Sequence, residues 1–148
     1  MLQGCFDSFT IADTESSLPH EWSRIRFSND GKYLMVSTKS EVIYILDAFK
    51  GDLVFRLTGH INRAGLDLEA NFTPDGKFVF SGSQDGTVCI WDLDNGKLVA
   101  KLKAHYDPCT AIAWNPKYMM FASADTSLVC FRYSSHVFRD SGPQHWIK

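Results

Sequence analysis

Near the middle of this 148-residue chain, His60, Ser81, Asp85 and Trp91 bring together an imidazole, a hydroxyl, a carboxylate and an indole. Serine, histidine and aspartate are the parts of a hydrolase triad, but a triad needs an exposed serine beside an oxyanion hole. Ser81 and Trp91 instead fall inside apolar, strand-like runs. An indole N–H only donates, so it needs an acceptor such as the Ser81 hydroxyl. That hydroxyl then donates to one imidazole nitrogen of His60, whose other nitrogen donates to Asp85. The expectation is a buried structural tetrad of His60, Ser81, Asp85 and Trp91, not a catalytic site.

Other phrases with chemical potential fail on spacing. Gly82-Ser83-Gln84-Asp85-Gly86 puts Gln84 where a nucleophile elbow needs serine. Asp92-Leu93-Asp94-Asn95-Gly96 starts like a calcium loop, yet its glycine comes one position early and Lys103 stands where the closing glutamate belongs. His20-Glu21 is not part of an H-E-x-x-H motif, and no glycine-rich phosphate loop occurs. Asn71-Phe72-Thr73 fits a glycosylation sequon, but it lies at a strand end behind no secretory signal. Cys5, Cys89, Cys109 and Cys130 include no C-x-x-C pair, so reduced, inert thiols are expected. Neither a catalytic residue nor a cofactor or metal site is expected.

The elements that must carry these side chains repeat along the chain. Phe27-Ser28-Asn29-Asp30-Gly31-Lys32-Tyr33 returns 45 residues later as Phe72-Thr73-Pro74-Asp75-Gly76-Lys77-Phe78. A third copy follows in Trp114-Asn115-Pro116-Lys117-Tyr118, and Phe80-Ser81-Gly82-Ser83 is answered by Phe121-Ala122-Ser123-Ala124. Each unit reads as short strands. In the middle one, Leu68 to Phe72 ends at the Pro74-Asp75-Gly76 turn, and Phe78-Val79-Phe80 ends at Asp85-Gly86. Thr87 to Trp91 is apolar almost throughout and is expected to be buried on both faces, whereas Leu98 to Lys103 alternates like an outer strand. No window carries a 3.6-residue stripe.

Four short strands per unit of about 40–45 residues is the blade of a β-propeller. Gly59-His60 and Trp91-Asp92, with Ser81 and Asp85 between them, resemble the pattern of the WD-repeat propeller family. The flanking units depart from it. Leu46 takes the tryptophan place in the first, while Ala104-His105 replaces Gly-His in the third and Phe131 is expected at the tryptophan place. Only the middle relay is therefore expected intact. The phrases Leu46-Asp47-Ala48-Phe49-Lys50-Gly51, Leu68-Glu69-Ala70-Asn71-Phe72-Thr73-Pro74-Asp75 and Asn115-Pro116-Lys117-Tyr118 are similar to one branch of the family, the Swd-type subunits of COMPASS complexes.

The expected fold is all-β: a partial WD-repeat propeller of about three four-stranded antiparallel blades, not closed. Residues 1–21 would supply the last strand of a preceding blade, near Phe6 to Phe9, and a linker. Blades follow at 22–58 and 59–103, then an incomplete blade at 104–133 and a tail at 134–148. A closed ring has about 4–8 blades, and the branch resembled has seven, so both ends would expose faces built to pack on a neighbour.

Fifteen Lys and Arg against seventeen Asp and Glu give a net charge of −2, which leaves no basic footprint for nucleic acid or membrane. A soluble intracellular chain is expected. Propellers work through their loops, and the rim that would meet partners holds Lys39, Asn62, Arg63, His105, Tyr106 and Asp107. Lys39 and Arg63 suit acidic or phosphorylated peptide, and Tyr106 an aromatic anchor. The resemblance implies a nuclear, non-catalytic adaptor of COMPASS-type histone-lysine methyltransferase complexes. It also implies protein-phosphatase and RNA 3′-end processing assemblies and the phosphorylated tail of RNA polymerase II as partners. The alternatives are a truncated fragment without docking activity and a self-assembling structural protein.

Overall fold

The computed structural model describes residues 20–133 together with Ser8, Thr10 and Ile11. Apart from Ser8, the expected leading strand near Phe6 to Phe9 lies outside the described residues, as does the tail at 134–148. Those described form eleven strands and no helix. The first sheet holds β1 (Trp22–Phe27), β2 (Tyr33–Thr38), β3 (Val42–Asp47) and β4 (Leu53–Thr58). The second holds β5 (Ala70–Phe72), β6 (Phe78–Gly82), β7 (Thr87–Asp92) and β8 (Lys97–Lys103), and the third β9 (Ala111–Trp114), β10 (Met120–Ala124) and β11 (Val129–Tyr133). Every sheet is an antiparallel meander in chain order, and the three do not close into a ring.

The repeated phrases fold into repeated turns. Thr73 Oγ1 donates to Asp75 at 2.5 Å, and the amides of Lys77 and Phe78 donate back to Asp75 and Thr73 at 3.1 Å. Ser28 and Asp30 do the same before β2, with the hydroxyl 2.7 Å from the carboxylate. Gly31 and Gly76 supply the left-handed residue each turn requires, at φ 71° and 70°. The turn is specified locally, so it recurs wherever the phrase does.

Sheets hold one another through alternate faces of their middle strands. Met35, Ile43, Ile45 and Leu57 of the first pack on Val79, Cys89 and Trp91 of the second. On its other face the second sheet places Phe80, Val88 and Ile90 against Ile112 and Phe121 of the third. Val88, Cys89, Ile90 and Trp91 are all 0 % exposed, so β7 is covered on both sides, as its unbroken apolar run requires. Each such large apolar side chain contributes roughly 1.5–3 kcal/mol by leaving water. Polar bonds run beside these contacts: Glu69 N donates to Thr110 O at 3.0 Å and Asn71 Nδ2 to Ile112 O at 2.7 Å.

Register corrects one expectation. Trp91 pairs with Val79 and Cys89 with Ser81; in the third sheet Arg132 pairs with Phe121 and Cys130 with Ser123. Arg132 thus holds the place equivalent to Trp91, and Phe131 stands one residue off, on the opposite face. The cause is a β10–β11 turn one residue shorter than its β6–β7 counterpart, and a one-residue change moves side chains across the sheet.

Candidate docking rim and its buried supports

His60, Ser81 and Trp91 are buried at 3 %, 1 % and 0 % exposure, with Asp85 half-buried in the turn after β6. They do not form the expected relay. Trp91 Nε1 donates to the backbone carbonyl of Thr58 at 2.8 Å, at the end of β4 in the first sheet. Ser81 Oγ donates to the adjacent Gly82 carbonyl at 2.9 Å. Asp85 accepts from the amide and hydroxyl of Thr87 at 3.1 and 2.6 Å. Burial works to raise the Asp85 pKa, but its bonds from Thr87 and Ser83 outweigh burial and leave it lowered. His60 Nε2 donates to Ser40 O at 3.1 Å, and its ring meets Trp91 edge-on at 5.8 Å. Its pKa is lowered, mainly by desolvation. These bonds cross between sheets: Trp91 and His60 reach back from the second repeat to the first sheet. A fixed backbone carbonyl has won the indole from a rotatable hydroxyl.

The one imidazole–hydroxyl link that does form lies in the third unit, where none was expected. His105 Nε2 is 2.8 Å from Ser123 Oγ, and Nδ1 is 3.4 Å from Asp125 Oδ2. Only the Nε2 contact is a hydrogen bond; buried Nδ1 has no hydrogen-bond partner and stands at ion-pair distance from the carboxylate. Asp125 is held low, first by the backbone N–H of Ser127. The atom order is that of a hydrolase triad, but His105 and Ser123 are 2 % and 1 % exposed. Packed side chains occupy the space a substrate would need. The signal for this site was the pairing of Ala104-His105 with Ser123-Ala124-Asp125, which the missing tryptophan obscured.

The rim side chains divide in two. Asn62 is buried at 3 % and staples its own loop, donating to Leu66 O and accepting from Leu66 N at 2.8 Å each. His105 is buried and bonded to Ser123. Both leave the set of partner-facing residues. Arg63 is open, with its side chain 82 % exposed and its Nε a loose 3.6 Å from Glu41. Tyr106 is 97 % exposed, and Asp107 is exposed while accepting from Thr126 at 3.2 Å. Lys39 is half-exposed; its ammonium bonds to Glu21, and that hydrogen bond first, then the charge, raises its pKa.

Missed from the sequence was Ser83, which is fully buried. Its hydroxyl accepts from Ile61 N at 2.9 Å, while Gln84 N donates to Ile61 O at 2.8 Å and Gln84 Oε1 accepts from Ala64 N at 3.0 Å. The β4–β5 loop is thereby tied to the β6–β7 turn, which fixes Arg63 in place. This loop, together with the first sheet, borders an open depression of about 790 Å³, walled by Lys39, Glu41, Arg56, Thr58, His60 and Arg63. Side chains of both signs on a fixed loop frame suit a polar peptide segment rather than an apolar small molecule. Among the described residues no cluster of three or more His, Cys, Asp or Glu could hold a metal. No helix there is long and apolar enough to cross a membrane.

A profile of the family described as "WD domain, G-beta repeat" matches residues 51–92 and 96–132. The chain is 45 % identical over 109 residues to "WD repeat-containing protein 82" of Drosophila melanogaster, covering 73 % of this chain and 34 % of that protein. It is 35 % identical over 137 residues to "COMPASS component SWD2" of Saccharomyces cerevisiae, covering 84 % and 42 %. It therefore spans about a third to two-fifths of the length of these relatives. The computationally designed Ika8 protein, solved by crystallography, superposes with a TM-score of 0.63 at 23 % identity over 76 % of this chain and 33 % of that one, a likeness of fold. The chain belongs to the WD-repeat family, and its three sheets are successive blades of a propeller left open within the described residues.

Proposed function

We propose that this chain is part of a non-catalytic scaffold that joins proteins through its loop rim. Its assembly would be a nuclear complex of the COMPASS histone-lysine methyltransferase type, linked to transcribing RNA polymerase II. The observation that carries the reading is the 45 % identity to WD repeat-containing protein 82, extending over 109 residues. The geometry is in keeping with it. The polar groups with triad-like order are buried, while Arg63, Tyr106 and Asp107 point outward from hydrogen-bonded loops. Protein-phosphatase and 3′-end processing assemblies are further partners of the same rim under this reading.

Immobilised chain is expected to retain a purified COMPASS-type methyltransferase assembly. Arg63→Glu is expected to weaken that capture at least about tenfold, equivalent to ~1.4 kcal/mol, without changing the circular dichroism melt. Failure of folded wild-type chain to retain the assembly would reject the proposal. A second reading, a fragment without docking activity, draws on the coverage of only 34 % of that relative; the same null result would support it.

A further inference from the structure

β1, β5 and β9 each run along one edge of their sheets, and side chains reach from one edge to the next. Ile112 of β9 turns its N–H and C=O toward the second sheet. Glu69 Oε2 accepts from Ile112 N at 3.3 Å, and Asn71 Nδ2 donates to Ile112 O at 2.7 Å. Toward the first sheet the contacts are ionic. Arg24 Nε and Nη2 donate to the two oxygens of Asp67 at 3.3 Å each, and Ser23 bonds to Asp67 as well. Arg26 Nη2 donates to Glu69 Oε1, which also stands 3.7 Å from Arg24 Nη1. One carboxylate is therefore shared, with Oε1 on the first sheet and Oε2 on the third. Its backbone is fixed too: Glu69 N donates to Thr110 O at 3.0 Å, and Glu69 O accepts from Gly82 N at 3.2 Å. The Glu69 side chain is 19 % exposed against 51 % for Asp67, so water weakens its charge-assisted bonds less.

We propose that Glu69 couples the two joints of the middle blade, so that loosening at one joint loosens the other. A carboxylate side chain held at one oxygen has already lost much of its rotational freedom. Its second bond then forms at a smaller entropic cost, which makes the two contacts mutually supportive. The neighbouring side chains each serve one joint. Asp67 is bonded by Ser23 and Arg24, both on β1, and Asn71 bonds to β9. Glu69 also closes the loop that carries Arg63, while Thr110 closes the loop that carries Tyr106. The coupling sets how these two loops stand relative to each other, whatever they bind.

Two buried thiols report the joints separately: Cys89 lies in the first and Cys109 in the second, both at 0 % exposure. The chain is pulse-alkylated in native buffer, and each cysteine is read by mass spectrometry. Asn71→Ala removes a bond of the second joint without touching the carboxylate. It is expected to speed labelling of Cys109 and of the remote Cys89, each at least about fivefold. In a Glu69→Ala background the same change should speed Cys109 alone and leave Cys89 within about twofold, as for independent sites. Should Glu69→Ala fail to fold, Glu69→Gln gives the same comparison, because a carboxamide has one acceptor oxygen and holds one sheet at a time. Cys89 unmoved by Asn71→Ala while Glu69 is present would overturn the proposal. A Cys89 response that persists without the Glu69 carboxylate would mean general unfolding, and would overturn it as well.

Discussion

At the scale of single residues, two serines at register-equivalent positions of adjacent blades behave differently. Ser123 faces an imidazole at 2.8 Å, and Ser81 faces only the carbonyl of the next residue at 2.9 Å. Removing Ser123 leaves a buried His105 nitrogen without its partner, a cost of about 1–3 kcal/mol. Removing Ser81 strands no side chain. Ser123→Ala is therefore expected to lower the urea midpoint well beyond Ser81→Ala, and the reverse order would restore the relay in the middle blade. Trp91→Ala should cost about 3–5 kcal/mol, through lost packing and the bond to Thr58. His60 sets a pH dependence. Desolvation lowers its pKa below the usual 6.5, so between the two values only the unfolded chain takes up the proton. The His60 contribution is complete above about 6.5 and declines as pH falls through that window. Thermal melts at pH 5.5 and 7.5 should therefore differ less in His60→Gln than in the wild type.

Among elements, the join between second and third blades includes one very close backbone approach. A Cβ on Gly82 would lie 1.9 Å from Cys109 O, a backbone atom that cannot swing aside. Gly82→Ala must push β6 from the segment that leads into β9 and is expected to cost about 1–3 kcal/mol or more, read as a lower urea midpoint. Turns and strands were legible in advance because Ser28-Asp30 and Thr73-Asp75 write the hydrogen bonds of their own turns. The face presented by β11 was not legible. Aligning Phe80 with Phe121 ignores a turn shorter by one residue, and that residue exchanges Phe131 for Arg132 at the place of Trp91.

In the molecule as a whole, the blades form a series in which the middle one depends on both neighbours. Cys89 lies against the first interface and Cys109 against the second. Burial pushes the Cys109 thiol up to about 11 and also raises Cys89. Both should resist alkylation at neutral pH until the sheets part, while half-buried Cys130 reacts earlier. Mass spectrometry of pulse-labelled chain would check that order, and early labelling of Cys109 would show the third sheet opening on its own.

The repeat, the strands, the turn chemistry and the family were readable from the sequence, because apolar alternation and Asp-Gly turns act over a few neighbouring residues. Partner choice belongs to the tertiary structure. Trp91 had Ser81 on its own face and Thr58 on the adjoining sheet, and the packing of β4 against β7 decided for the carbonyl. Asn62 and His105 were polar loop residues by type, and only the folded loops turned them inward. Competing donors and acceptors a few ångströms apart are separated by the placement of neighbouring sheets, which no local pattern encodes.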